Sequence, residues 1–109
     1  MQYQNTLITG ASGRLGQAIL RSGCFLEVLS PSRQVLDITK PETIKDFFED
    51  NEVDSIVHCA ALADMIECEN NPTKAVEANI VGTANMVNEV MKQKNQKQKQ
   101  IRVIHISTD

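Results

Sequence analysis

The sequence has few cysteines, no basic leader segment and no long apolar run. Its three cysteines include no CxxC pair, which predicts neither a disulfide framework nor a zinc site. The N-terminus lacks a basic segment, and no apolar run approaches the ~20 residues of a membrane span. A net charge of -3 gives no reason to expect nucleic acid or an anionic membrane as a partner. We therefore expect one soluble, cytoplasmic domain over residues 1–109 with no metal site.

A glycine-rich turn follows the first apolar segment, in the stretch TLITGASGRLG at residues 6–16. Gly10 permits a tight turn, Gly13 lets the backbone approach a pyrophosphate, and Gly16 lets the next helix pack closely on the sheet. The helix N-terminus then offers unpaired amides to the phosphates. The same spacing also occurs where glycines serve turn geometry alone. The stretch predicts a dinucleotide site that also includes Ser12, Arg14 and Leu15.

Strands and helices alternate along the rest of the chain. Strands are predicted at residues 5–9, 25–30, 55–59 and 101–106, and a short extended piece at residues 34–36 is counted as the third of five. The last strand is apolar almost throughout, which is typical of a strand covered on both faces. This order predicts an α/β fold, a Rossmann-type doubly wound parallel sheet that stops after the fifth strand, with the glycine turn at its switch point.

Three helices are predicted between these strands. The first spans residues 14–22 and is ended by Gly23, and the second follows a capping box of Thr39 and Glu42. The second helix has Pro41 in its first turn and is expected to bury Ile44, Phe47 and Phe48. The third starts at Pro72, and an apolar stripe is predicted to pack it on the sheet: Val76, Ile80, Ala84, Val87 and Met91.

Five motifs occur in the order typical of extended short-chain dehydrogenases. They are TGxxGxxG at residues 9–16, LDIT at 36–39, HCAA at 58–61, Asn79 in the third helix, and STD at 107–109. The chain resembles that family along its whole length, and most of all the dTDP-4-dehydrorhamnose reductase branch. The resemblance implies the NAD(P)-binding part of a reductase that acts on nucleotide-linked 4-keto-6-deoxy sugars.

The resemblance also implies how the dinucleotide lies. The glycines sit under the pyrophosphate, and Asp37 and Ile38 lie beside the adenine. Cys59, Ala60 and Ala61 line the path of the ribose and nicotinamide. On the residues alone, Asp37 could equally cap a turn, and the alanines could be small because a helix crosses the strand there.

The choice of cofactor depends on the residues after the second strand. NAD-specific sites usually place an acidic residue there, whereas this chain has Ser30. Arg33 follows, and Arg14 lies in the glycine loop, so two guanidinium groups are available for a 2′-phosphate. We therefore favour NADP(H) over NAD(H), with an ordinary surface position as the alternative for both arginines.

The catalytic motif is incomplete. The resemblance implies that Asn79 supports the active-site backbone and that the hydroxyl of Thr108 binds the substrate carbonyl. The family also uses a Tyr that donates the proton and, on the same helix, a Lys that lowers the pKa of the Tyr and holds the ribose. The single tyrosine, Tyr3, precedes the first strand, so the triad cannot be completed here.

We therefore expect an N-terminal part without the substrate lobe, whose nucleotide-linked sugar is a ligand of the full-length protein only. The exposed last strand makes homo-oligomerisation a further expectation. Two alternative functions stay open. They are an epimerase or dehydratase of the same superfamily, and a non-catalytic NADP-binding regulatory subunit like that of methionine adenosyltransferase.

Overall fold

The computed structural model describes residues 5–10, 14–23, 27–59 and 72–105. In the helices, the side chains of residues 14, 15, 72 and 74–79 lie outside that description. The elements alternate along the chain, as the sequence predicts. They are β1 (Thr6–Thr9), α1 (Arg14–Ser22), β2 (Val28–Leu29), α2 (Pro41–Asp50), β3 (Ser55–His58), α3 (Pro72–Lys97) and β4 (Arg102–His105).

The strands of the described region form one parallel sheet in the order β2-β1-β3-β4. β1 is central, with Thr6 beside both Val28 and Ser55, and Thr9 beside His58. The chain runs from β1 to β2 on one side and then crosses to β3 on the other. The pair β1 and β3 is therefore the switch point at which a doubly wound sheet opens. The predicted fold class is confirmed.

The count of five strands is wrong for the described residues. Residues 34–36 are not a strand, because the amides of Val35 and Leu36 both donate to the carbonyl of Ser32, at 3.0 and 2.9 Å. These local bonds close a turn, and the two amides are not used for strand pairing. β2 is also shorter than predicted, and the first two residues of that prediction lie outside the described residues.

Helices cover both faces of the sheet. Leu7 of β1 and Ile56 of β3 belong to a core that α2 and α3 complete, whereas Ile8 and Val57 pack towards α1. Successive strand residues point to opposite faces, so each strand contributes to both layers. The first layer contains Leu7, Leu36, Ile44, Phe47, Phe48, Val53, Ile56, Met86 and Ile101.

The ends of α1 and α2 show one correct prediction and one error. α1 ends at Ser22, and Gly23 follows with φ +70°, as a C-terminal glycine requires. Pro41 lies in the first turn of α2 as predicted, but the N-cap is Lys40 without a side-chain cap, so the capping box is wrong. The Thr39 hydroxyl donates instead to Asp37 Oδ1 at 2.6 Å. The predicted burial of Ile44, Phe47 and Phe48 is confirmed.

α3 turns a different face inward from the one that the apolar pattern predicts. Ile80 is 65% exposed, Val87 48% and Met91 46%, whereas Met86 is only 3% exposed. The side chain of Val76 lies outside the described residues. The buried positions are Gly82, Met86, Glu89 and Gln93. Gln93 donates to Glu89 at 3.1 Å, so the polar pair satisfies itself inside. Hydropathy periodicity does not weigh such hydrogen bonds.

β4 is an exposed strand. Its four residues are all exposed, including Val103 and Ile104, while Ile101 just before it is buried. The expectation of cover on both faces is wrong for residues 102–105. The exposure that the sequence predicts for the last strand is found at residues 102–105 but not at Ile101.

Candidate functional site

The carboxyl ends of β1 and β3 carry the candidate site. β1 ends at Thr9, and Gly10 follows with φ +70°, a left-handed conformation that favours glycine. α1 then begins at Arg14, and Gly16 is buried on its first turn. α1 therefore begins beside the carboxyl ends of these two neighbouring strands. The geometry suits an anionic ligand.

Hydrogen bonds tie the two strand ends together. The amide of Cys59 donates to the carbonyl of Thr9 at 3.1 Å and to its hydroxyl at 3.0 Å. The same hydroxyl bonds Nδ1 of His58 at 2.7 Å, and Nε2 of His58 bonds the hydroxyl of Thr83 on α3 at 3.2 Å. The imidazole of His58 on β3 thus bonds side chains of both β1 and α3, and it holds the ends of the two strands in place against the helix.

Neither His58 nor Cys59 is charged near neutral pH. Burial, and to a lesser degree the charge of His105, lowers the pKa of His58 to about 4. Burial also raises the pKa of the Cys59 thiol. The Cys59 side chain packs with Ile8 and Val57 on the face opposite His58. Among the described residues, no three His, Cys, Asp or Glu side chains come together to hold a metal ion.

The loop after β2 is held by Asp37. Its Oδ1 accepts hydrogen bonds from the amide and hydroxyl of Thr39, at 2.9 and 2.6 Å. The backbone amide of Asp37 donates a hydrogen bond of 2.9 Å to the Thr43 hydroxyl. Burial raises the pKa of Asp37, but the bonds from Thr39 and the nearby charges of Arg33 and Lys40 outweigh it, so the pKa is lowered overall. The carboxylate therefore caps this turn, the alternative that the sequence left open.

Arg33 and Ile38 lie on the two sides of Asp37. Arg33 Nε lies 3.7 Å from Asp37 Oδ2, and the arginine side chain is 69% exposed. The carbonyl of Ile38 accepts a hydrogen bond of 2.8 Å from Nδ2 of Asn85 on α3. The guanidinium is accessible to a ligand, and the backbone beside it is anchored to the helix.

The remaining predicted site residues are placed only in part. Ser12, Gly13, Ala60, Ala61 and Thr108 lie outside the described residues. Arg14 and Leu15 start α1 and Asn79 lies in α3, and their side chains lie outside the description as well.

The sequence reasoning missed Thr83 and Asn85, although one signal pointed to Asn85. Asn is a poor former of helix interiors and usually has a specific hydrogen-bond partner there.

The sequence of nearly the whole chain matches a known family. The family model described as the RmlD substrate binding domain covers residues 4–109. The chain belongs to this family. Its relatives include the dTDP-4-dehydrorhamnose reductase of Burkholderia thailandensis, 34% identical over 79 residues, which are 70% of this chain and 26% of that protein. A protein of Methanocaldococcus jannaschii named as an uncharacterized membrane protein is 31% identical over 94% of this chain and 35% of its own length.

Solved structures of the family share the fold. The dTDP-4-dehydrorhamnose reductase of Bacillus anthracis, solved in complex with NADP, superposes with a TM-score of 0.66. It is 23% identical, and the match covers 93% of this chain and 35% of that one. The chain thus spans about a third of the length of these proteins. Within its described part, no helix is both long and apolar enough to cross a membrane.

Proposed function

We propose that this chain binds NADP(H) and forms the cofactor-binding part of a reductase that acts on nucleotide-linked 4-keto-6-deoxy sugars. The observation that carries the proposal is the left-handed Gly10 between β1 and α1, at the switch point of the parallel sheet. Open α/β sheets bind ligands at such a point. Membership of the RmlD family and the likeness to a dTDP-4-dehydrorhamnose reductase support the substrate class.

The pyrophosphate would lie over the glycine turn. Gly10 has a positive φ, which favours glycine, and α1 begins four residues later with the positive end of its dipole towards this turn. Ser12, Gly13, Arg14 and Leu15 would complete this cradle, and Gly16 would let α1 pack close to the sheet. These residues bind and orient the dinucleotide and take no part in bond making.

The adenine would lie beside Asp37 and Ile38, with Arg33 reaching the 2′-phosphate. The exposed guanidinium supports this part of the proposal. Since Asp37 already faces Arg33, the phosphate would share that cation with the carboxylate. The Bacillus anthracis reductase was solved with NADP, which also supports NADP(H) over NAD(H).

The nicotinamide end would lie beyond β3, along Cys59, Ala60 and Ala61, and Asn79 would support the backbone there. The bound cofactor supplies a hydride, while the hydroxyl of Thr108 would hold the sugar carbonyl by a hydrogen bond. The sugar lobe would lie in the part of the relatives that this chain does not span. We place this reaction in the cytoplasm and in the synthesis of dTDP-rhamnose.

Two glycines with the same backbone conformation give a matched test. Gly10 and Gly23 both have φ +70°, so alanine strains the backbone equally at each, but only Gly10 lies at the proposed site. In calorimetric titrations with NADPH, Gly10→Ala should weaken binding at least ~10-fold because the strained turn moves the phosphate-binding amides. Gly23→Ala should bind like the wild type.

Two results would contradict the proposal. One is equal affinity of the two variants for NADPH. The other is a wild-type protein that is folded and does not bind either NADPH or NADH.

A further inference from the structure

α3 approaches the Asp37 loop so closely that a side chain at Gly82 would require the side chain of Ile38 to move. A Cβ built on Gly82 would lie 2.7 Å from Cγ1 of Ile38 and nearer still to its Cδ1. Three residues later, Nδ2 of Asn85 donates to the carbonyl of Ile38 at 2.8 Å. The loop is therefore held by α3 through both a packing contact and a hydrogen bond to its backbone.

The same turn of α3 also reaches the end of β3. Thr83 bonds Nε2 of His58 at 3.2 Å, and Nδ1 of His58 bonds Thr9 at 2.7 Å. The hydroxyl of Thr9 in turn accepts a hydrogen bond of 3.0 Å from the amide of Cys59. This hydrogen-bond chain links α3 to the strand ends on which the nicotinamide side is proposed to lie.

We propose that the turn of α3 from Gly82 to Asn85 positions both ends of the dinucleotide groove, with Gly82 and Asn85 setting the adenine loop and Thr83 setting the strand ends. The inference rests on the proposed function. A helix is rigid over one turn, with a rise of ~1.5 Å per residue, so contacts at positions 82, 83 and 85 hold a fixed spacing. None of these residues lies on the glycine turn, so they act on the cofactor through Ile38 and His58.

A matched pair of asparagines separates this role from a general loss of stability. Asn85 and Asn51 each donate a side-chain amide to a backbone carbonyl, that of Ile38 at 2.8 Å and that of Phe47 at 3.0 Å. Asn51 follows α2, and its side chain bonds a carbonyl of that helix. We expect Asn85→Ala to weaken the binding of both ADP and NADPH about fivefold in calorimetry, which is the effect of one lost hydrogen bond. Asn51→Ala should lower the thermal midpoint and leave both affinities unchanged.

Thr83 should affect the other end of the groove. Thr83→Val removes the bond to His58, so NADPH should bind about fivefold more weakly, while ADP, which lacks the nicotinamide half, should bind as in the wild type. Thr83→Ser keeps the hydroxyl and should restore the affinity for NADPH.

Some outcomes would overturn the inference while the proposed function survives. These are wild-type affinity for ADP in Asn85→Ala, equal losses of affinity in Asn85→Ala and Asn51→Ala, or equal losses for ADP and NADPH in Thr83→Val. If a folded wild type binds neither ligand, the proposed function fails and the positioning role fails with it.

Discussion

The imidazole rings of His58 and His105 are stacked across β3 and β4, with centroids 5.4 Å apart and planes inclined by 30°. Two protonated rings at this distance repel each other, and His58 is buried, so its neutral form is favoured. Both of its ring nitrogens have hydroxyl partners, Thr9 and Thr83, and a neutral imidazole can satisfy both because hydroxyls donate or accept.

This neutral histidine predicts a loss of stability in mild acid. Its pKa is about 4 in the folded protein, against an ordinary value of 6.5 for histidine. The stabilisation is therefore complete above pH 6.5 and is lost as the pH falls from 6.5 through about 4, because the unfolded state binds the proton more readily. Urea unfolding of wild type and His58→Asn should give a difference in free energy that shrinks over this range. A constant difference would show that His58 does not change its protonation there.

The exposed face of α3 predicts opposite results at two neighbouring positions. Met86 is buried in the core with Phe47, whereas Val87 is largely exposed. Met86→Ala should lower the free energy of unfolding by about 2–4 kcal/mol, since it leaves a cavity. Val87→Ala should change it by less than ~0.5 kcal/mol. Urea denaturation measures both changes in the free energy of unfolding. A larger loss for Val87→Ala than for Met86→Ala would show that α3 packs with the face that the apolar pattern predicts.

Lys99 predicts a stability contribution that depends on salt. Its Nζ lies 2.7 Å from Glu52 Oε1 and 3.3 Å from Asp54 Oδ1. Burial lowers the pKa of Lys99, but its bonds to both carboxylates outweigh this and raise it overall. The contribution is therefore present below the ordinary pKa of 10.5 and is lost as the pH rises through the higher folded value. Lys99→Met should cost about 0.5–1 kcal/mol at low salt and less in 1 M NaCl.

A second lysine serves as the control for this experiment. Lys45 pairs with Glu49 at 3.9 Å, and both side chains are exposed. Lys45→Met should therefore leave the free energy of unfolding nearly unchanged at either salt concentration. Equal effects of the two substitutions would contradict a specific role for the Lys99 cluster.

Arg33 tests the choice of cofactor. If its guanidinium binds the 2′-phosphate, Arg33→Ala should lower the affinity for NADPH about 10-fold and leave the affinity for NADH unchanged. Arg21, in the last turn of α1, gives a control arginine whose replacement by Ala should change neither affinity. Equal losses for NADPH and NADH in Arg33→Ala would assign this residue to the Asp37 turn instead.

The sequence by itself determined the order of elements and the class of the fold. Glycines, prolines and short apolar runs act locally, so they located α1, its end at Gly23, and Pro41 in the first turn of α2. The same local signals located the glycine turn at the switch point.

Only the tertiary structure decided which partners the polar groups choose. Thr39 bonds Asp37 rather than capping α2, and residues 34–36 bond Ser32 rather than a strand. α3 is rotated so that Gly82 meets Ile38, while Thr83 and Asn85 find partners 25 and 47 residues away. Hydropathy periodicity records where apolar side chains recur, but the orientation of a helix also depends on close approach and on hydrogen bonds made across the fold.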